Sequence, residues 1–217
     1  SLVQLVHTID FKIYPNKTPK ITYDSQYVCS ENLIKCLANI HIEKGHVFAI
    51  AGSQNTGKCF VLKEILNHFY KTHQIAYFKF YSLREESNYL LFCRLIMFIN
   101  FGNILKCFEV EEVASTIDYY KTILKTKLDP IEINIPLILE VFEGCYDEII
   151  AKKISNQLTY NPLMLQQIIK AQRTPIPHIA LIDELQNLNS SELDFLKNII
   201  NCSLAINNSV FLIAERE

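Results

Sequence analysis

The sequence has no CxxC pair, no cysteine and histidine at zinc spacing, no run of twenty apolar residues and no repeat or low-complexity tract, and its formal charge is only −2. Each lack excludes something. Seven cysteines, an odd number without paired spacing, do not make a disulfide framework or a zinc site. They read as reduced thiols of a cytosolic chain, buried as small hydrophobes. The six histidines, His7, His41, His46, His68, His73 and His178, show no metal-ligand spacing either, and His178 beside Pro177 reads as structural. A charge of −2 gives no electrostatic case for nucleic-acid binding across the whole chain. The tyrosines, Tyr119 and Tyr120 among them, read as core and rim residues and not as base-stacking platforms. The opening SLVQLVHTIDFK has neither a basic n-region nor a long apolar run, so no signal peptide is visible. The most apolar stretch, YLLFCRLIMFINFGNIL at 89–105, carries Arg94 and falls short of the ~20 residues a spanning helix needs. It reads as a buried core helix. What is present is a chain of 217 residues, 49% hydrophobic and 20% charged, which is globular, long enough for a sizeable core and sized for one domain.

The order of elements is legible in patches. Residues 1–30 are mixed, with YPNKTPK turn-rich around Pro15 and Pro19. SENLIKCLANIHIEKG carries Leu33, Ile34, Leu37 and Ile40 at helical spacing and ends on Gly45. HVFAIAG then fits a buried parallel strand. After a glycine-containing loop, KCFVLKEILNHFYKTH is an amphipathic helix with Val61, Leu62, Ile65, Leu66 and Phe69 on one side. QIAYFKFYSL, 74–83, reads as a second strand, and a helix runs from Tyr89 to Asn100. Between 104 and 172, VEEVASTIDYYKTILKTKL and PLILEVFEGCYDEIIAKKI are helical patterns broken by DPIEINIP. HIALI restores a strand. SSELDFLKNIIN reads as a helix capped by Ser190 or Ser191, with Glu192 in its first turn, and NNSVFLIA is the last strand. Strands that alternate with helices call for an α/β fold with a mostly parallel sheet flanked by helices. The chain stops just after the apolar run VFLIA, which leads us to expect a piece of something longer.

Two motifs carry chemistry. In GSQNTGKCF, Gly52-x4-Gly57-Lys58 lies between a predicted strand and a predicted helix, the context a phosphate-binding loop requires. Glycines let successive N–H groups turn toward one point, and the helix that follows adds its positive end. Lys58 supplies charge to the terminal phosphates. The second motif is ALIDEL. An apolar strand runs into Asp183 and Glu184 and would deliver them to the carboxyl edge of the sheet, where open α/β folds bind ligands. Asp183 would hold magnesium through water, and Glu184 would orient or deprotonate the attacking water. The bland readings are a glycine turn with an incidental lysine and a helix start with acids favoured by its dipole. The candidate nucleotide-binding set is Gly52, Ser53, Gln54, Asn55, Thr56, Gly57, Lys58, Cys59 and Phe60. Lys58 and Glu184 are the candidate catalytic residues, and Asp183 is the candidate magnesium residue.

With these motifs the chain resembles AAA+ P-loop ATPases of the ExeA/GspA kind, which work with type II secretion and pilus assembly, and their TniB and TnsC transposition relatives. The resemblance rests on DFKIYPN…TYDSQYVCSENLIKCLANIHIEKGHVFAIAGSQNTGKCFVLKEILN and on ALIDELQNLNSSELDFLKNIIN, covering about residues 10–85 and 178–217. It implies one AAA+-type domain over 1–217, a helical insertion at about 104–172, a lid outside this chain, ATP and magnesium as ligands and weak or slow ATP hydrolysis. It implies a motor or switch role in a homo-oligomer or larger complex, and inner-membrane association only through parts outside the chain. Gln186 and Asn187 match the family's Gln-Asn pair. Ala214, Glu215 and Arg216 depart from its sensor pattern. The four arginines, Arg84, Arg94, Arg173 and Arg216, offer no clear arginine finger, and Arg94 reads as a structural partner.

Cys59 stands where such loops carry Ser or Thr. Magnesium wants hard oxygen ligands, and a thiol is a poor substitute. Backbone N–H groups and Lys58 would still hold the phosphates, so binding with slow hydrolysis is expected. Thr56 precedes the lysine, and its side chain should point elsewhere. Two other readings stand beside this one: a transposition or DNA-remodelling ATPase, and a degenerate P-loop fold that serves as an interaction module without catalysis.

Overall fold

The computed structural model describes residues 13–14, 47–52, 58–80, 88–102, 122, 135–170, 178–204 and 209–215. The described strands are β1 (Ile13–Tyr14), β2 (Val47–Gly52), β3 (Gln74–Lys79), β4 (His178–Asp183) and β5 (Ser209–Glu215). The described helices are α1 (Lys58–Phe69), α2 (Asn88–Phe101), α3 (Ile135–Gly144), α4 (Glu148–Tyr160), α5 (Pro162–Lys170) and α6 (Ser190–Leu204). The expected helix near residues 30–45 and the pattern VEEVASTIDYYKTILKTKL fall outside the described residues, apart from Thr122. The fold is α/β.

The strands form one sheet in the order β1-β3-β4-β5-β2. β3, β4, β5 and β2 are parallel to their neighbours, and β1 closes the far edge antiparallel to β3. Parallel strands need crossovers, and here helices supply them on both faces. The alternation of side chains along β3 and β4 separates the two faces. Ala76, Phe78, Ala180 and Ile182 join a large core with residues of α2 to α6. Ile75, Tyr77, Ile179 and Leu181 are also buried but lie on the opposite face, together with Val61, Ile65 and Phe69 of α1, which packs on β3. Every residue of β4 is buried, as a strand covered on both faces requires.

α2 is the apolar segment read as a core helix, and ten of its fourteen residues are buried. Phe92 sits between Phe80 and Phe195, at ring-centroid distances of 5.3 and 5.1 Å. Among the described residues no helix is long and apolar enough to cross a membrane. Arg94 turns its Nε–H to the carbonyl of Cys145 at 3.0 Å, the structural role expected of it. Cys93 and Cys145 are fully buried. Burial pushes the Cys93 thiol up to about 12 and the Cys145 thiol well above its usual value, so neither is a thiolate near neutrality.

The helical region before β4 is part of the main core. Leu137, Ile138 and Val141 of α3, Ala151, Ile154 and Leu158 of α4, and Leu165, Ile168 and Ile169 of α5 all belong to the cluster built on α2. The segment PLILEVFEGCYDEIIAKKI divides into two helices because Asp147 starts a new one. Its Oδ1 accepts from the N–H groups of Ile149 and Ile150.

Two expectations need correction. β3 ends at Lys79, not at 83; Phe80 leaves the ladder with its N–H bonded to the Asp183 carbonyl, and 81–87 lie outside the described residues. The cap of α6 is Asn189, not Ser190 or Ser191. Asn189 Oδ1 accepts from the Glu192 N–H, and Glu192 Oε2 accepts from the Asn189 N–H, both at 2.9 Å. That reciprocal pair is a capping box, with asparagine in the serine position.

Gly102 ends α2 with φ of +65° and its N–H on the Phe98 carbonyl. A Cβ there would fall 1.9 Å from Gln74 Oε1 and 2.7 Å from Nε2 of the buried His178. Gly102→Ala is therefore expected to lower unfolding free energy by about 2–3 kcal/mol, combining left-handed strain with displaced neighbours. Denaturant titration followed by circular dichroism checks this; an unchanged midpoint contradicts it.

Candidate functional site

The glycine loop and the acidic pair come to one edge of the sheet. β2 ends at Gly52 and α1 begins at Lys58, so the connection spans 53–57. Gly52, Lys58, Cys59 and Phe60 are placed by their backbone, with Cys59 and Phe60 in the first turn of α1. Ser53, Gln54, Asn55, Thr56 and Gly57 lie outside the described residues. β4 ends at Asp183. Because β2, β5 and β4 are parallel, Gly52 and Asp183 both stand at the carboxyl edge, with β5 alone between their strands.

The register sets their separation. Ile182 pairs with Leu212, and Leu212 pairs with Ala49, so Asp183 stands about two rungs short of the level of Gly52. With ~4.8 Å between strands and ~3.3 Å per residue, the two backbones are roughly 12 Å apart, before twist is considered. Asp183 follows Ile179 and Leu181 in alternation and therefore projects on the face that α1 covers. The start of α1, where free N–H groups and the positive end of the helix dipole lie, is thus on the same face and at the same edge as the Asp183 carboxylate.

Asp183 is held on both oxygens. Its side chain is 5% exposed. Oδ2 accepts the Tyr77 hydroxyl at 2.5 Å, and Oδ1 accepts the Glu184 N–H at 2.8 Å. Tyr77 is 2% exposed and stands on β3 opposite Leu181, on the same face as Asp183. Lys79, half-buried, is the register partner of Asp183.

Glu184 turns the chain sharply. At φ 59° and ψ 43° it is the one non-glycine residue with positive φ among the described residues. That conformation costs about 1–2 kcal/mol for a residue with a Cβ, and surrounding bonds must hold it. They do so through a short 3-10 turn, Leu185–Asn187. The Asn187 N–H bonds the Glu184 carbonyl at 3.0 Å, and Asn187 Nδ2 donates to the Phe80 carbonyl at 2.8 Å, tying the turn to the end of β3. Gln186 Nε2 donates to Glu184 Oε2, which orients that carboxylate. The turn also packs against β5. Gln186 and Asn187 thus shape the acidic corner, while Glu215 of β5 lies in register with Gly52.

The donor chemistry decides what this corner can hold. Among the described residues no group of three or more His, Cys, Asp or Glu side chains gathers as a metal site. A lone carboxylate suits magnesium only if phosphate and water supply the other ligands, which is the cation's habit on nucleotides. The residues present fit a phosphate-bound magnesium reached from Asp183, and Cys59 does not fit as an additional ligand.

The sequence reading missed Tyr77 and the Asn189 cap. A tyrosine in an apolar strand gives no sign of its partner until the β3–β4 register is known. The cap had a signal, the spacing Asn189-x-x-Glu192, which two adjacent serines obscured. The chain matches no family model, no curated protein and no solved structure.

Proposed function

We propose that this chain is an AAA+-like P-loop nucleotide-binding domain that takes ATP with magnesium, hydrolyses it slowly, and serves as a nucleotide-dependent switch or motor part of a larger assembly, of which a secretion or pilus machine is the type that its resemblance suggests. One observation carries this reading: a strand–loop–helix unit with Gly52 and Lys58 at its turn shares a sheet edge and a face with a buried aspartate, one strand apart. That spacing suits a polyphosphate lying across the end of β5, with Lys58 at one side and Asp183 at the other.

In this reading the loop N–H groups and the start of α1 bind the phosphates, and Lys58 adds positive charge at the terminal groups. Magnesium, when bound with the nucleotide, neutralises phosphate oxygens, and Asp183 is the residue that would hold it. Glu184, turned by its left-handed backbone and steadied by Gln186, orients or deprotonates a water. Cys59 lowers the rate by leaving the loop without its hydroxyl.

Calorimetric titration with ATP and ADP, each with and without magnesium, tests the proposal. Binding of both nucleotides, strengthened by magnesium for ATP, is the expected result. No binding under any of these conditions rejects it and favours an interaction module without catalysis. Salt-sensitive DNA binding by the ATP-loaded protein would shift the biology to DNA remodelling on the same engine.

A further inference from the structure

We infer that Tyr77 is the positioning residue for Asp183: its hydroxyl fixes the direction in which that carboxylate faces a phosphate-bound cation. This rests on the nucleotide-site reading above.

The bond joins residues 106 positions apart, and both partners are buried. It is therefore a product of the sheet and not of local sequence. Tyr77 sits two residues before Lys79, the register partner of Asp183, so its ring runs along the α1 face toward the carboxyl edge. The hydroxyl thus reaches Oδ2 from β3, the neighbour of β4 on the side away from β5 and β2, while the Glu184 N–H holds Oδ1. An aspartate side chain has two soft torsions. Anchored at both oxygens, this one is confined to one orientation before any ligand arrives.

The choice of donor matters. A lysine or arginine at position 77 would also hold Oδ2, but its charge would cancel the carboxylate's and compete with a cation. A tyrosine hydroxyl gives a hydrogen bond and no charge. The Tyr77 bond therefore limits the carboxylate's freedom without itself adding a positive charge. Outer partners of metal-binding groups change metal affinity 10- to 100-fold when removed. With Cys59 offering no oxygen, magnesium placement leans more heavily on Asp183, so the full range is expected here.

Tyr77→Phe removes one oxygen and keeps the ring, so the packing under α1 is preserved. Wild type and Tyr77→Phe are each titrated calorimetrically with ATP plus magnesium and with ATP plus EDTA, and thermal midpoints are recorded in parallel. The variant is expected to bind Mg·ATP 10- to 100-fold more weakly than wild type and metal-free ATP equally well. A lowered thermal midpoint with an unchanged advantage of Mg·ATP over free ATP makes Tyr77 merely structural and overturns the inference. Wild type that binds ATP without any preference for magnesium overturns it together with the role of Asp183. Wild type that binds no ATP overturns the nucleotide reading itself, and the inference falls with it.

Discussion

Lys58→Ala is expected to lower ATP affinity 100-fold or more while leaving the fold intact. Lys58 is the first residue of α1, at the carboxyl edge of the sheet, next to a loop that begins at Gly52. Charge-assisted hydrogen bonds contribute about 1.5–3 kcal/mol each, and a lysine between two terminal phosphates makes two. Their loss amounts to roughly 3–6 kcal/mol, a factor of about 10² to 10⁴ in the dissociation constant. The fold should not suffer, because a cation at the positive end of a helix is mildly unfavourable there. First-turn acids, which would repel phosphate, are absent from α1. Displacement of a fluorescent ATP analogue reads the affinity, and far-ultraviolet circular dichroism confirms the fold. Affinity within threefold of wild type would mean that the lysine is incidental to a glycine turn.

The contrast between this edge and the rest of the molecule explains what the sequence could reveal. Helices α1 and α6 were legible because their apolar residues recur with the helical period, and α2 and the strands β2 to β5 because they are apolar runs of different length. IALI and VFAIA are apolar runs of four and five residues, and that shortness separates a strand covered on both faces from a longer apolar helix such as α2. The acidic end of β4 was legible for the same reason: charge directly after such a run must sit at the sheet's edge. The strand order was not legible, since nothing in VFLIA says that it inserts between the loop strand and the acid strand. Tyr77 depended on that hidden register. The three helices α3, α4 and α5 showed their periodicity but not their place, because an amphipathic pattern tells which face is buried and not against what. In the structure they surround α2 and share the core with Phe78 and Ile182. Glu184 shows the limit from the other direction. Its left-handed backbone is a position where glycine or asparagine is the default, and a glutamate there gives no local signal. The strain is held by Asn187 and Gln186, residues read first from a family pattern and then found bonding the turn.

Cys59→Thr is expected to raise magnesium-dependent ATP hydrolysis about 10-fold or more. The argument begins with hardness. Magnesium binds oxygen at ~2.0–2.1 Å in a tight octahedron and has little affinity for a neutral thiol. Cys59 occupies the first turn of α1, one residue after Lys58, the position at which a phosphate-binding loop of the proposed kind carries a hydroxyl. With sulfur there, a bound magnesium would have only Asp183 of these two positions as an oxygen ligand from the protein, and would be less firmly placed. Misplacement of that order carries a large rate penalty, because phosphoryl transfer depends almost wholly on positioning and charge. ATP affinity should change little, since loop N–H groups and Lys58 are untouched. Cys59→Ala serves as the control: it should hydrolyse at the wild-type rate, because the thiol it removes contributes nothing to a hard cation. A softer, thiophilic cation such as Zn²⁺ should narrow the gap between wild type and Cys59→Thr. Steady-state phosphate release under saturating ATP measures all three proteins. Equal rates in wild type and Cys59→Thr with magnesium would show that the hydroxyl has no role here.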